Sequence, residues 1–353
     1  MSLLTDTIGS IEPLDEGAER AALERLDCLT KPLGSLGYLE QVVRRYAAIR
    51  HDPEARAGSA TLLIFVADHG VADEGVSAYP QEVTAQMLRN IAGGGAAISV
   101  LARHYGYGLK VIDMGVASDT RAEGLPGLIY RRAGAGTRNF MREPAMTAAQ
   151  AVFALEAGIE IANTAVEGAS TLLGIGEMGI ANSTSAAALL SAITGMDAAM
   201  IAGRGTGLDE GGLRRKVEVI RASLQRHQAS LSDGQQLLAA LGGFEIAAMA
   251  GVCLGAAARR VPVVVDGFIT TAAAAAADKI FPGLAGRMFF SHRSAEGGHG
   301  FALEHLRARP LLDLDLRLGE GTGAAIAISI IQAALAMYRE MATFAGAGVA
   351  EKL

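Results

Sequence analysis

Thr61-Leu62-Leu63-Ile64-Phe65-Val66-Ala67-Asp68-His69-Gly70 carries the reading of the fold. An apolar run opens after Thr61 and ends at a polar loop that contains glycine. A half-exposed strand alternates polar and apolar residues, whereas an unbroken run fits a strand covered on both faces, as in a parallel sheet. Similar runs occur at 109–112 before Asp113-Met114-Gly115, and at 171–174 before Ile175-Gly176-Glu177. Others lie at 198–202 before Gly203-Arg204-Gly205, at 262–265 before Asp266-Gly267, and at 288–290 before Ser291-His292. Ala-rich helical patterns fill the intervals, at about 81–105, 147–167, 182–194, 213–228, 244–259 and 270–280. Strand–helix alternation of this kind predicts an α/β fold, a parallel sheet flanked by helices in Rossmann-like fashion. Ligands on such sheets bind beyond the carboxyl ends of the strands, where every polar loop just quoted sits.

The terminal segments do not read as strand–helix units. Residues 21–50 read as two helices broken at Lys31-Pro32-Leu33-Gly34-Ser35-Leu36-Gly37, and one long helix follows Gly321 to about Met341. We expect residues 1–58 and 321–353 to pack as a small helical subdomain, with 59–320 forming the large α/β domain. The stretch 118–143, rich in Gly and Arg, reads as an irregular surface excursion.

Composition narrows the function. Half of the 353 residues are hydrophobic and Trp is absent, so the core is aliphatic. The net charge is −6, and no basic stripe with interleaved aromatics is present, which speaks against nucleic-acid binding. Cys28 and Cys253 form no CxxC pair and fit free thiols in a reducing compartment. The N-terminus lacks a basic region followed by an apolar core, so no signal peptide is expected. The apolar runs are interrupted by Gly or charge short of a bilayer-spanning ~20 residues. These features predict a cytoplasmic protein that does not contact membranes.

Five loops carry candidate chemistry. Arg317-Leu318-Gly319-Glu320-Gly321-Thr322-Gly323 sets one carboxylate between glycines at a helix start, whose free N–H groups favour an anion. A carboxylate held there suits a general base, or else Thr322 caps the helix and Glu320 lies in solvent. The segment 174–185, with Gly176, Glu177 and Met178, follows a strand and opens a helix. Gly203-Arg204-Gly205-Thr206-Gly207-Leu208-Asp209 does the same, with Lys216 downstream. Two glycine loops at adjacent strand ends would make one anion cradle with Lys216 as counter-charge, unless Lys216 belongs to an exposed basic helix face. The loop after the first strand brings Tyr79 and the later Met87, which read as a wall for a flat ring or as plain core. Ser291-His292-Arg293-Ser294-Ala295-Glu296-Gly297-Gly298-His299 departs from HExxH spacing, and its glycines break any helix. We therefore expect sugar or phosphate contacts there rather than a metal.

Taken together, these blocks resemble the nicotinate-nucleotide–dimethylbenzimidazole phosphoribosyltransferase family of cobalamin lower-ligand assembly. The resemblance rests on the blocks 29–37, 67–71, 174–184, 242–246, 265–268, 291–296 and 317–324, in order along nearly the whole chain. It implies transfer of phosphoribose from nicotinate mononucleotide to 5,6-dimethylbenzimidazole, giving α-ribazole 5′-phosphate and nicotinate, without a cofactor or metal, in a homodimer. It maps the general base onto Glu320 and two further polar site residues onto Glu177 and Lys216. The ring pocket maps onto Tyr79, Met87 and Met178, and Asp266 and Ser294 fall near the sugar. A nucleoside phosphorylase or nucleosidase, and a nucleotide-binding protein without turnover, are the alternatives.

Overall fold

The computed structural model of the chain describes residues 2–121, 124–125, 127–205 and 207–350. Thr206 of the second glycine loop, and Ala122, Glu123 and Pro126 of the excursion at 118–143, lie outside the described residues, as do the two chain ends. The strands are β1 (Ser59–Ala67), β2 (Gly108–Gly115), β3 (Leu128–Tyr130), β4 (Ser170–Met178), β5 (Val263–Val265), β6 (Met288–His292) and β7 (Pro310–Leu312). The helices ahead of β4 are α1 (Leu3–Gly9), α2 (Glu16–Cys28), α3 (Tyr38–Arg50), α4 (Glu82–Ala92), α5 (Ala97–Tyr105) and α6 (Ala148–Glu167). Between β4 and β5 come α7 (Asn182–Thr194), α8 (Ala198–Ile201), α9 (Glu210–Arg226), α10 (Gly234–Leu241) and α11 (Phe244–Ala258). The last four are α12 (Phe268–Ile280), α13 (His299–His305), α14 (Thr322–Glu340) and α15 (Phe344–Ala347).

All seven strands form one parallel sheet in the order β3-β2-β1-β4-β5-β6-β7. β1 explains why its sequence never alternates. Leu63, Phe65 and Ala67 enter one apolar core with α6, α7, α11 and α12, while Leu62, Ile64 and Val66 enter a second with α3, α4, α5 and α14. Chain order reverses between β1 and β4, so the connections leaving their carboxyl ends diverge and open a crevice.

Local signals set several helix ends. Thr147 and Gln150 close a capping box at the start of α6. The expected helix at 81–105 is two helices, because Gly93-Gly94-Gly95 breaks it and Gly94 adopts φ +87°. Of residues 198–202, expected as a strand, 198–201 form the short helix α8, whose start is capped by Asp197 accepting from the Ala199 N–H. The short edge strands β3 and β7 escaped the sequence reading because three half-buried residues carry no period.

The terminal helices share their core with the sheet. α2 packs on α3, and α3 on α14. α14 is long and apolar enough to cross a membrane, yet β4, β6, α3 and α5 take up its apolar surface. On the opposite face α6 and α11 meet with backbones almost touching. A Cβ added at Gly158 would fall 1.9 Å from the Ala248 carbonyl oxygen, and one at Gly251 2.0 Å from that of Leu155.

Candidate active site

An open cleft of about 820 Å³ lies past the carboxyl ends of β4, β5 and β6. Its walls include Glu177 and Met178 from β4, Gly267 after β5, His292 from β6 and Ser294 just after it, and Leu318 and Gly319 from the loop before α14. Ser77 and Val76, from the loop beyond β1, complete one side.

β4 runs on to Met178, so Gly174, Gly176 and Glu177 belong to the strand and not to the expected glycine loop. Gly176 has a packing partner there. A Cβ on it would lie 2.4 Å from the Gly321 amide nitrogen, so the 319–321 turn crosses β4 only because residue 176 is glycine. That turn is left-handed throughout, with φ +83°, +61° and +85° at Gly319, Glu320 and Gly321. Glycine adopts such angles freely, whereas Glu320 does so at a cost of about 1–2 kcal/mol.

The carboxylates around the turn differ from the sequence expectation. Asp266, and not Glu320, occupies the start of α14: its Oδ2 accepts from the Gly321 N–H at 3.1 Å and its Oδ1 from that of Ala324 at 2.9 Å. Glu320 turns instead to the first turn of α5, where the amides of Ile98 and Ala97 face it. Its alternative as a solvent-exposed side chain does not hold, because Glu320 is 5% exposed and its Oε2 is buried without a hydrogen-bond partner. Burial raises the Glu320 pKa, and the two amides moderate the rise.

Glu177 is buried at the end of β4, and Asn182 donates to its Oε2. Burial pushes its pKa up to about 8 against that hydrogen bond, and the charges of Glu245, Asp266 and Glu320 add to the rise. Burial likewise raises Asp266 to about 7, opposed by the α14 amides. Three carboxyl groups in one low-dielectric region resist full ionisation, so the cluster retains protons near neutrality.

Lys216 is fully buried, not part of an exposed basic face. Its Nζ donates to the Ser183 Oγ at 2.9 Å and to the Gly203 carbonyl at 3.1 Å, which joins the start of α7 to the second glycine loop. Burial lowers its pKa to about 8, with Glu296 acting in the opposite sense. The two loops therefore meet, but through α8 and Lys216 rather than as neighbouring strand ends. The Gly205 N–H donates to Glu296 Oε1 at 2.9 Å, so a carboxylate sits on the loop read as an anion cradle. The sequence reading named Glu296 only as part of the histidine segment, because its contact with Gly205 spans 91 residues.

Of the residues expected in the ring pocket, Met178 lines the cleft. Tyr79 is exposed and Met87 half-buried on α4, and neither lines it. Ser294 does, and its Oγ accepts from the Glu296 N–H. Both ring nitrogens of His299 are engaged. The Ser294 N–H donates to His299 Nδ1 at 2.8 Å, so the proton of that ring is on Nε2, which donates to Thr271 Oγ1. Burial lowers the pKa of His299 to about 3 and that of His292 to about 4, so both rings are neutral. Beneath the cleft, His69 and Glu245 pair at 2.6 Å, both fully buried.

A parallel sheet with a switch-point crevice, buried carboxyl groups and a buried cation marks a small-molecule site of the open α/β class, and comparison with known proteins specifies it. The family model described as phosphoribosyltransferase matches residues 11–349, and the chain is an enzyme of that glycosyl-transferring type. Nicotinate-nucleotide–dimethylbenzimidazole phosphoribosyltransferase of Chloroflexus aggregans is 52% identical over 100% of this chain and 99% of its own. The protein of that name from Geobacter sulfurreducens is 48% identical over 99% of both chains. The crystal structure of the Thermus thermophilus protein of that name superposes with a TM-score of 0.90 at 43% identity, covering 96% of this chain and all of the other. The chain belongs to the nicotinate-nucleotide–dimethylbenzimidazole phosphoribosyltransferase family.

Proposed function

We propose that the protein transfers the phosphoribosyl group of nicotinate mononucleotide to 5,6-dimethylbenzimidazole, releasing nicotinate and forming α-ribazole 5′-phosphate for cobalamin nucleotide-loop assembly. Full-length identity to proteins of that name carries the reading. Of the candidate residues, Glu177, Met178, Gly205 and Ser294 line the cleft, and Glu320, Lys216 and Asp266 do not. The C1′–N bond of the pyridinium breaks with its electron pair going to nitrogen, so nicotinate leaves without needing a proton. An unprotonated benzimidazole nitrogen attacks the oxocarbenium-like carbon from the opposite face, which turns a β linkage into an α one. The other ring nitrogen then becomes acidic, and we assign its proton to Glu320. Support for that assignment is the buried, unpartnered Oε2 and a basicity raised by burial.

We assign the 5′-phosphate to the region of Gly205 and Lys216, a buried cation beside a backbone loop. Glu177, which lines the cleft and whose pKa burial pushes up to about 8, we assign as a hydrogen-bond donor to the substrate. The acceptor ring goes against Met178, which lines the cleft. We also propose a cytoplasmic homodimer. Two unpaired thiols support that compartment.

The test is nicotinate release from the mononucleotide with and without dimethylbenzimidazole, with the ribosyl product identified by mass. We expect release to depend on the benzimidazole. Release driven by phosphate or water alone would instead assign a phosphorylase or nucleosidase, and binding without release a non-catalytic protein. Sedimentation checks the dimer.

A further inference from the structure

His292 stands at the carboxyl end of β6, lines the cleft and is almost wholly buried. Its tautomer follows from its neighbours. The Ser291 Oγ donates its one hydrogen to the Asp266 carbonyl oxygen at 2.5 Å, and that carbonyl can only accept. The same Oγ lies 2.9 Å from His292 Nδ1, so at that contact it must be the acceptor and Nδ1 must carry the proton. The Asp266 carboxylate, 3.9 Å from Nδ1, favours the same placement. The lone pair is therefore on Nε2, which takes no hydrogen bond from any described residue.

Two glycines hold the ring in this attitude. A Cβ at Gly323 would lie 2.1 Å from Nδ1, so the last glycine of the 317–323 segment makes room for the imidazole. A Cβ at Gly267 would lie 3.3 Å from Cε1 and 3.5 Å from Nε2, so glycine there keeps the accepting edge open to the cleft. Ser294 lies two residues further along the same wall, and the Glu296–Gly205 contact follows it, which puts the ring on the side assigned to the phosphoribose.

We propose that His292 Nε2 accepts a hydrogen bond from a ribose hydroxyl of the mononucleotide and so positions the sugar for attack at C1′. The inference rests on the mononucleotide substrate proposed above. The phosphate and carboxylate of that substrate are acceptors and its pyridinium bears no N–H, so the 2′- and 3′-hydroxyls are what it can offer a lone pair. His292 is a positioning residue and takes no proton from the reacting atoms.

The experiment is an analogue cycle. Wild type, His292→Ala and His292→Gln are each assayed with nicotinate mononucleotide and its 2′-deoxy and 3′-deoxy forms, reading kcat, KM and, by calorimetry, Kd. We expect wild type to disfavour one deoxy form by about 10-fold, the scale of a lost hydrogen bond that leaves a buried acceptor unpaired. In His292→Ala that preference should shrink to within about 3-fold, and the amide oxygen of His292→Gln should restore part of it. Equal losses on all three mononucleotides, or a wild type indifferent to both deoxy forms, would overturn the contact. If His292→Ala does not fold, His292→Gln reads the same cycle: a preference smaller than that of wild type supports the contact, and equal losses on all three mononucleotides, which leave the preference unchanged, overturn it. The calorimetric cycle keeps the two proposals apart, because a protein that binds the mononucleotide without transferring its sugar refutes the reaction while His292 is still judged by the Kd values.

Discussion

Glu320 shows how much a single residue depends on its surroundings. Its carboxyl sits at the first turn of α5 and its backbone in a left-handed turn, while Asp266 has the start of α14. Replacing Glu320 by Gln keeps shape and burial and removes the proton acceptor. We expect a folded protein that binds both substrates while kcat falls by about 10²–10⁴-fold, the usual contribution of a positioned base. Near wild-type turnover in a folded variant would remove Glu320 from the chemistry. At Lys216 the buried ammonium joins Ser183 to Gly203. Lys216→Met keeps most of the volume and loses both bonds and the charge. It should weaken use of the mononucleotide by about 10- to 100-fold and use of the dephosphorylated nucleoside much less, read as kcat/KM for each. Equal losses would place the lysine in the fold rather than at the phosphate.

Among elements, the informative feature is how closely their backbones approach. The 319–321 turn lies on β4 at Gly176, and α6 lies on α11 at Gly158 and Gly251. Both contacts require the absence of a side chain, but they serve different ends. Gly251→Ala should push the helices apart and destabilise the protein by about 2–4 kcal/mol, measured by urea unfolding, while kcat per folded molecule stays within about 3-fold. Gly176→Ala should cost a similar amount of stability and also displace Glu320, so kcat falls too. If Gly176→Ala lost stability alone, the turn would be free to move without consequence for the base. The sequence marked Gly176 as a ligand loop because glycine between a strand and a helix is the signature of a phosphate cradle. A glycine that admits another backbone looks the same in one dimension.

Across the molecule, the buried acids set the pH dependence of stability. Burial pushes the pKa of Glu177 up to about 8 and that of Asp266 up to about 7, from ordinary values of 4.5 and 3.8. A group with a raised folded pKa binds its proton more tightly in the native state. Its contribution is fully present below the unfolded pKa and is lost as pH rises through the folded one. Stability should therefore decline between about pH 5 and 8, and thermal unfolding across that range checks it. Glu177→Gln should flatten part of the decline and gain on the order of 2 kcal/mol over wild type at pH 8. An unchanged slope would place the proton elsewhere in the cluster. The layers of the fold were legible in the chain alone, because continuous apolar runs and helical periods record, residue by residue, how many faces of each element are covered. The runs at β1 and β4–β6 and the helices α6, α7, α11, α12 and α14 all read in that way. The family was legible too, since the ordered loop blocks span nearly the whole chain. Folding in three dimensions was needed to show which carboxylate meets which helix start, which glycine admits a backbone, and that Glu296 reaches Gly205. These contacts join residues 55 to 91 positions apart in the cases of Asp266 with Gly321 and Glu296 with Gly205. Strand order and helix packing bring them together, and no local period encodes either.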